Sequence, residues 1–399
     1  MLVVLIAALL GIGFYSGAKF EKFKINQSVN NVATQIINKN NSQPSSIDFG
    51  LFWTVLQKLE EKFVDQDKLT DKSKLVYGAI AGMVEAAGDP YTVFLEPVES
   101  KKFEEQINGS FGGIGIEIGM RKNLLTVITP IKNTPAEKAG ILTGDIIIKI
   151  NDKDATNLKI DEAVTQIRGK KGTAVKLSIQ RAGLKESKDF SIVRDEIKVP
   201  TVEWKLLDGN IAHLQIFSFN RNTEKDFNGI AKEILASKAD RIILDLRNNP
   251  GGILDSAINI ASWFLDSNQT VVIEKFADGT ETALRTTKSA ELKKYPIVIV
   301  TNNGSASASE ILAGALRDNR GAKIIGETSF GKGSVQELVE FPTASGKATL
   351  KVTIAKWFTP SGISISDNSI KPDIEVKRTP EDIEKNLDPQ LDKAKEVIK

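Results

Sequence analysis

Residues 302–318, NNGSASASEILAGALRD, decide how the rest of the chain is read. The four residues before Thr301, Ile297-Val298-Ile299-Val300, are apolar and β-branched, the pattern of a buried strand. Asn302-Asn303-Gly304 breaks that strand. Beyond the break, Ile311, Leu312, Ala315 and Leu316 recur at helical spacing. The stretch is therefore a strand–turn–helix corner that brings three hydroxyls, Ser305, Ser307 and Ser309, to a helix N-terminus. Unsatisfied N–H groups and the helix dipole favour negative charge there, so an alkoxide or oxyanion would be stabilised. A second reading competes: Ser307 and Glu310 fit the S-x-x-E capping box, in which the serine only starts the helix. On this stretch alone both readings stay open.

Composition limits the chemistry around the corner. A chain of 399 residues has room for two or three domains. Its apolar content of 41% and charged content of 26% are ordinary for globular protein. A net charge of +2 with dispersed basic residues gives no nucleic-acid surface. The absence of cysteine excludes thiol catalysis, disulfides and cysteine-based metal sites. The single histidine, His213, excludes a multi-histidine metal site. It lies in NIAHLQIF (210–217), whose alternation reads as a strand with an ordinary packed or half-exposed histidine. A nucleophile at Ser307 would then take a base other than histidine.

Residues 2–15 are almost wholly apolar, and small residues continue to 18. This is short for a spanning helix of about 20 residues and close to a signal-peptide core. Lys19, Lys22 and Lys24 follow it, and taken literally the positive-inside rule would leave the body in the cytoplasm. With no A-x-A cleavage site after it, and a basic leader expected ahead of it, we read 1–18 as an uncleaved signal anchor. The body is then expected outside the cytoplasm, in the periplasm or cell envelope. Residues 19–47, rich in Asn, Ser and Gln, read as a linker. A helical unit over 48–102 follows. Phe52, Val55, Leu56, Leu59 and Phe63 mark one face of its first helix, and its second runs over about 72–87.

From 103 to 187 the pattern changes to short strands and turns. SFGGIGIEIG (110–119) sets a glycine-rich loop before an alternating strand, and Thr134-Pro135 has the form of an N-cap and first helical residue. A strand at 146–150, a helix at about 160–168 and a strand at 174–180 follow. This order resembles a PDZ domain of the bacterial, circularly permuted kind. The resemblance implies that Gly113, Ile114, Gly115 and Ile116 offer backbone N–H groups to a peptide's terminal carboxylate, and that the peptide adds as a strand. The plain alternative is a tight turn.

Residues 188–376 alternate strands and helices. A buried strand at 241–246 leads into RNNPGG (247–252), where Gly251 and Gly252 either let the backbone approach a ligand or simply make a turn. After the corner come a strand at 322–326 and the loop ETSFGKGSVQ (327–336), with Lys332 between two glycines. Lysine is a general base only when its pKa is lowered, usually by burial; a surface position is its ordinary fate. The series Gly326-x4-Gly331-Lys332 is nearly a phosphate-binding loop, and Ile242-Ile243-Leu244-Asp245 looks like a magnesium-binding strand end. Gly333 stands where a Ser or Thr would hold magnesium, and Pro342 leaves little room for the long helix such a loop needs. Nucleotide binding is therefore set aside.

Taken together, these blocks resemble the carboxy-terminal processing peptidases, or tail-specific proteases. The matching pieces are YGAIAGMVEAAGDPYT (77–92), GIGIEI, DLRNNPGG (245–252), SASASEILAGALRD, GETSFGKGSVQ (326–336), TPSGISI (359–365), IKPDIEV (370–376) and DPQLDKA (388–394). They cover nearly everything after residue 50, in order. The resemblance implies a serine nucleophile, Ser307, a lysine base, Lys332, and a supporting glutamine, Gln336. It implies an oxyanion hole from the N–H groups of Gly252 and Ala308, with Gly251 adjoining as the uncertain neighbour. Asp318 matches a position treated as functional in some members, with helix-end support as the alternative. Arg168 is expected to contact the groove or the core, or to lie on the surface.

The implied fold is α/β and multidomain: a helical N-terminal unit, a permuted PDZ domain over 103–187, a crotonase- or Clp-like β/α superhelix over 188–376, and a helical tail over 377–399. The implied activity is a serine endopeptidase that binds protein C-termini through its PDZ domain and cuts through an acyl-enzyme. The resemblance calls for no metal or organic cofactor and allows a homodimer. Two rivals are a PDZ peptide-binding protein on an inactive core and, more remotely, a crotonase-like acyl-CoA enzyme.

Overall fold

A computed structural model describes residues 48–399, except 122–123, 132, 182, 184–185 and 289. The expected anchor and linker, 1–47, lie outside the described residues. Two compact units divide the chain, one ending at Glu96 and the other spanning Pro97–Lys399.

In the first unit, helices Gly50–Lys62 and Lys72–Glu85 are joined through a 3-10 turn, Gln66–Leu69, and followed by a short strand, Val93–Leu95. Asp71 caps the second helix by accepting the Lys74 N–H. Both helices form as their periodicity predicts, yet neither contains a buried residue. Phe52, Val55 and Leu59, expected to pack, stay exposed together with Leu51 and Trp53.

The second unit opens with helix Pro97–Asn108, which runs through the expected boundary at 102/103. A two-stranded ribbon, Ser110–Gly113 with Asp195–Lys198, carries a five-strand antiparallel path: Ile116–Arg121, Leu124–Pro130, Ile146–Ile150, Ala174–Gln180, Lys188–Val193. The last of these pairs along its whole length with Ala174–Gln180, so this sheet extends past the expected domain boundary at residue 187. Helix Ile160–Ile167 closes over it, with Ala163 and Ile167 in a core that includes Leu125, Val127, Ile147, Leu177 and Ile179.

The remainder is built on a six-stranded sheet ordered Val202–Leu207, Ile211–Ile216, Arg241–Asp245, Ile297–Thr301, Lys323–Gly326, Ile374–Glu375. Its first pair is antiparallel and every later pair parallel. Parallel strands are covered on both faces, which is why Ile297–Thr301 reads as a continuous apolar run and is buried throughout. Successive side chains alternate between the faces. Ile242, Leu244, Ile297, Ile299 and Ile324 pack with helices Thr223–Ala236, Leu254–Phe264 and Ala308–Arg320. Ile243, Val298, Val300 and Ile325 pack with Leu391, Ala394 and Ile398 of the tail helix Pro389–Val397 and its C-cap. A long hairpin, Ser334–Thr343 with Gly346–Phe358, adds a second sheet through Thr270–Phe276 and Glu281–Arg285.

Candidate active site

Three loops leave the C-terminal ends of three adjacent parallel strands, the usual place for a ligand in an open α/β sheet. They follow Asp245, Thr301 and Gly326, and carry the two glycines, the serines and the lysine respectively.

The three serines are not equivalent. Ser305 and Ser309 are fully buried, and their hydroxyls donate to Leu246 O at 2.8 Å and Asn249 O at 2.9 Å. Both are thus spent tying the serine corner to the glycine loop. Among the described residues Ser307 Oγ donates to no such carbonyl. Ser307 adopts φ 54°, ψ −115°, a left-handed conformation that costs a non-glycine residue about 1–3 kcal/mol. As the sequence indicates, it stands as N-cap of Ala308–Arg320 and forms the capping box with Glu310. The box closes tightly on its carboxylate side, where the Ser307 N–H donates to Glu310 Oε2 at 2.7 Å. Ala308 opens the helix, so its N–H has no intrahelical acceptor.

The glycine loop lies directly against this corner. A Cβ on Gly251 would sit 2.5 Å from Ala306 O, 2.7 Å from Ser307 Cβ and 2.8 Å from Ala308 N. Only glycine fits there, at φ 90°. The Gly251 N–H donates to Asn249 Oδ1 at 2.9 Å, whereas among the described residues the Gly252 N–H meets no protein acceptor. Asn249, fully buried, also donates to Ile216 O at 2.8 Å and accepts the Ala306 N–H at its carbonyl. Asn248 and Asn302 bond reciprocally at 2.8 Å, the N–H of Asn248 to one side chain and Nδ2 of Asn302 to the other.

Glu310 joins the serine corner to the lysine loop. It is almost fully buried, and its Oε1 accepts Ser329 Oγ at 2.5 Å and Gly331 N–H at 2.7 Å. Oε2, which holds the Ser307 N–H, also accepts the Lys332 N–H at 2.9 Å. The backbones of residues 307 and 332 are therefore fixed to one carboxylate oxygen. Burial pushes the Glu310 carboxyl above its usual range, against the pull of these four bonds. Lys332 is partly buried; burial first, and then repulsion from Lys351, lower its pKa, with Glu310 opposing. That is the direction a basic amine requires.

The two candidate supporting residues, Gln336 and Asp318, bond to the segments that flank the site. Gln336 Nε2 donates to Ser334 O at 3.0 Å and Ser334 Oγ at 2.6 Å, next to a bulge between Val335 and Gln336. Asp318 accepts the Ser361 N–H at 3.0 Å, Ser361 Oγ at 2.7 Å and Arg317 Nε at 3.2 Å. Against burial, bonds from Thr359, Ser361 and Arg317 hold its carboxyl below the usual range. Asp318 thus braces the 359–361 turn, and the chain beyond it backs the lysine loop. A Cβ on Gly333 would lie 2.2 Å from Ser366 N.

A separate pocket is lined by Phe111, the loop 113–116, Ile118, Val164, Ile167 and Arg168. The loop carbonyls are occupied inward: Ile114 O accepts Ala136 N–H at 2.8 Å and Gly115 O accepts Ile131 N–H at 2.9 Å. Thr134 stands as N-cap before Pro135, as read from sequence, while its hydroxyl is shared between Ile131 O at 2.6 Å and Gly115 O at 3.1 Å. Pinning this loop takes precedence over a side-chain cap on a four-residue helix. Arg168 stacks on Phe111, 3.9 Å from its ring centre, with Glu105 at 3.9 Å. It belongs to the groove rather than to the serine corner.

His213 lies on the core sheet, buried, with Nε2 3.0 Å from Asp245 Oδ2. Neither residue bonds to Ser307 among the described residues.

Three family models match the sequence: peptidase family S41 over residues 210–376, a PDZ domain over 112–192, and the activating protease CtpB N-terminal domain over 7–98. A carboxy-terminal-processing protease of Bartonella bacilliformis is 39% identical over 352 residues, covering 87% of this chain and 79% of that protein. The chain belongs to peptidase family S41. The carboxy-terminal processing protease CtpA of Bacillus subtilis is 40% identical over 78% of this S41 chain, a match that spans 66% of CtpA, just under two thirds of its length. A putative S41 protease from Bacteroides fragilis shares the fold, with TM-score 0.54 at 15% identity over 78% of this chain and 87% of that one.

Within this S41 core, sequence reasoning saw Glu310 only as a capping partner and did not single out Asn248, Asn249 or Asn302. Glu310 had a local signal, the capping box, but its bonds to Ser329, Gly331 and Lys332 join segments about twenty positions apart. Asn-Asn repeats in both loops, at 248–249 and 302–303, were the available hint of a paired contact.

Proposed function

We propose that this protein is a serine endopeptidase that takes protein C-termini in its PDZ groove and hydrolyses peptide bonds with a Ser307–Lys332 dyad. The observation that carries this reading is the Glu310 clamp, which holds the backbones of both residues on one buried oxygen. Ser305 and Ser309 are committed to backbone carbonyls, which singles out Ser307.

The neutral Lys332 amine takes the Ser307 hydroxyl proton as Oγ attacks the peptide carbonyl. The oxyanion of the tetrahedral intermediate is received by the N–H groups of Gly252 and Ala308; the Gly251 N–H is already spent on Asn249. The C–N bond breaks, and the Lys332 ammonium returns its proton to the departing amine. Water, deprotonated by the same lysine, then cleaves the acyl-enzyme and regenerates Ser307. We assign Gln336, whose Nε2 donates to Ser334 at the start of the same strand, to the support of the lysine loop.

The apolar lining of the groove fits an apolar terminal residue, with the substrate adding beside Ile116–Arg121. We also infer an anchor at 1–18, with the catalytic body outside the cytoplasm, and a homodimer. Protease accessibility in intact and opened cells tests the location: a body digested only after the cytoplasm is opened would overturn it.

The deciding experiment incubates an unfolded protein bearing an apolar C-terminus with wild type, Ser307→Ala and Lys332→Ala, and reads the fragments by mass spectrometry. Cleavage by wild type alone is expected. Cleavage by Ser307→Ala would overturn the nucleophile assignment, and peptide retained uncut by all three would favour a binding protein.

A further inference from the structure

The C-terminal tail reaches the catalytic loops from beneath. Its helix packs Leu391, Ala394 and Ile398 on the sheet face opposite the nucleophile helix. Its first residues lie at the strand ends from which the loops emerge.

Two contacts there are specific. Arg247, five residues before Gly252, is buried and spends its guanidinium in both directions. Toward its own strand, Nε reaches Asp245 Oδ1 at 3.0 Å and Nη2 reaches Oδ2 at 2.7 Å. Toward the tail, Nη1 and Nη2 grip Asp388 Oδ1 and Oδ2 at 2.8 and 2.9 Å, and Nη1 meets Gln390 Oε1 at 3.1 Å. These five bonds match the five donors of the planar fork. Gln390, nearly fully buried, continues across the sheet: Nε2 donates to Val376 O at 2.8 Å and lies 3.4 Å from Glu327 Oε2.

Glu327 is the first residue of the loop to Lys332. Its N–H and carbonyl are bonded to Thr301, the last residue of the strand that leads to Ser307. Asp388 and Gln390 therefore link the root of the Gly252 loop to the root of the Lys332 loop, with the root of the Ser307 loop between them.

We propose that Asp388 and Gln390 are positioning residues for peptide-bond hydrolysis, fixing the spacing of the oxyanion and lysine loops from the far end of the chain. This rests on the Ser307–Lys332 reading. Neither side chain touches substrate; both act through Arg247 and Glu327. A tail that only covered apolar surface would need Leu391, Ala394 and Ile398, but not a bidentate carboxylate and a buried amide aimed at two loop roots.

The test uses the full chain with Asp388→Asn and Gln390→Leu, beside Ser307→Ala and Lys332→Ala. Asp392→Asn, on the exposed side of the same helix, serves as control. Misplacement of catalytic groups by an ångström costs up to about 100-fold, so kcat should fall about 10- to 100-fold in both tail variants with KM little changed. Asp392→Asn should match wild type. Unchanged kcat in the tail variants, with only a lower Tm, would overturn the proposal and leave the tail a stability element. Should Gln390→Leu fail to fold, Asp388→Asn, which preserves the side-chain shape, decides. Tail variants that turn over normally beside an inactive Ser307→Ala would sink this inference alone. An active Ser307→Ala would remove the dyad first.

Discussion

Glu310 is where the serine corner and the lysine loop become one site. Its two oxygens accept four donors, so an amide in its place would set an NH2 against N–H or O–H groups. Glu310→Gln should therefore lower kcat by about 10- to 100-fold, with KM nearly constant, because the loss is of positioning rather than of substrate contact. Steady-state kinetics with an internally quenched peptide would check this, and an unaltered kcat would show the clamp to be dispensable. The depressed pKa of Lys332 gives a second prediction. In the proposed dyad the neutral amine is the active form, so kcat/KM should rise with pH through an inflection below the ordinary lysine value of about 10.4. The same shift bears on stability. A lysine whose folded pKa is depressed binds fewer protons folded than unfolded between the two pKa values, so its contribution becomes more favourable as pH rises through that window. Below it the fold carries the cost of the half-buried ammonium. Lys332→Met should consequently abolish turnover yet raise Tm near neutral pH.

At the scale of elements, the loops fit through backbone contacts that tolerate little volume. Gly251→Ala would drive a methyl into Ala306 O and Ser307 at a positive φ. Turnover should be lost while a C-terminal peptide still binds the separate groove; titration of a fluorescent peptide against the variant measures both halves. The acid response of Asp245 belongs here too. Against burial, its bonds to His213 and Arg247 hold its pKa down at about 2. Its stabilising contribution is complete above the unfolded value of about 3.9 and is lost as pH falls through the folded one. Asp245→Asn should flatten that part of the acid-unfolding curve.

These elements also mark what was legible in the sequence. The strand–turn–helix corner at 297–316 could be read because apolar period and turn residues are local signals. The parallel strands could be read because burial on both faces leaves a continuous apolar run. Closures between distant segments leave no period: Glu310 to Lys332, Asn248 to Asn302, and Arg247 to Asp388 each bring together residues whose pairing only the folded sheet determines. Thr134 was legible as the N-cap before Pro135, but not the use of its hydroxyl to pin the loop, because that contact lies between distant segments.

For the whole molecule, the unburied stripe on helix Gly50–Lys62 is the feature that the described residues leave uncovered. Phe49, Leu51, Phe52, Trp53, Val55 and Leu59 are all exposed, and the rings of Phe52 and Trp53 stack edge-on at 5.0 Å. Helices of 13 and 14 residues are marginal in water without tertiary packing. Surface ion pairs such as Lys58–Glu61 add only about 0–1 kcal/mol. A contiguous aromatic and aliphatic stripe beside such charges is the composition of an interface core with a polar rim. A second copy presenting the same stripe would cover it symmetrically. The full chain should therefore sediment as a dimer, and Phe52→Glu with Leu59→Glu should sediment as a monomer whose 48–85 segment is cut rapidly by added trypsin. The catalytic loops lie outside that segment, so cleavage of a short peptide should survive in the monomer. A wild-type chain that sediments as a monomer with 48–85 resistant to trypsin would overturn the dimer.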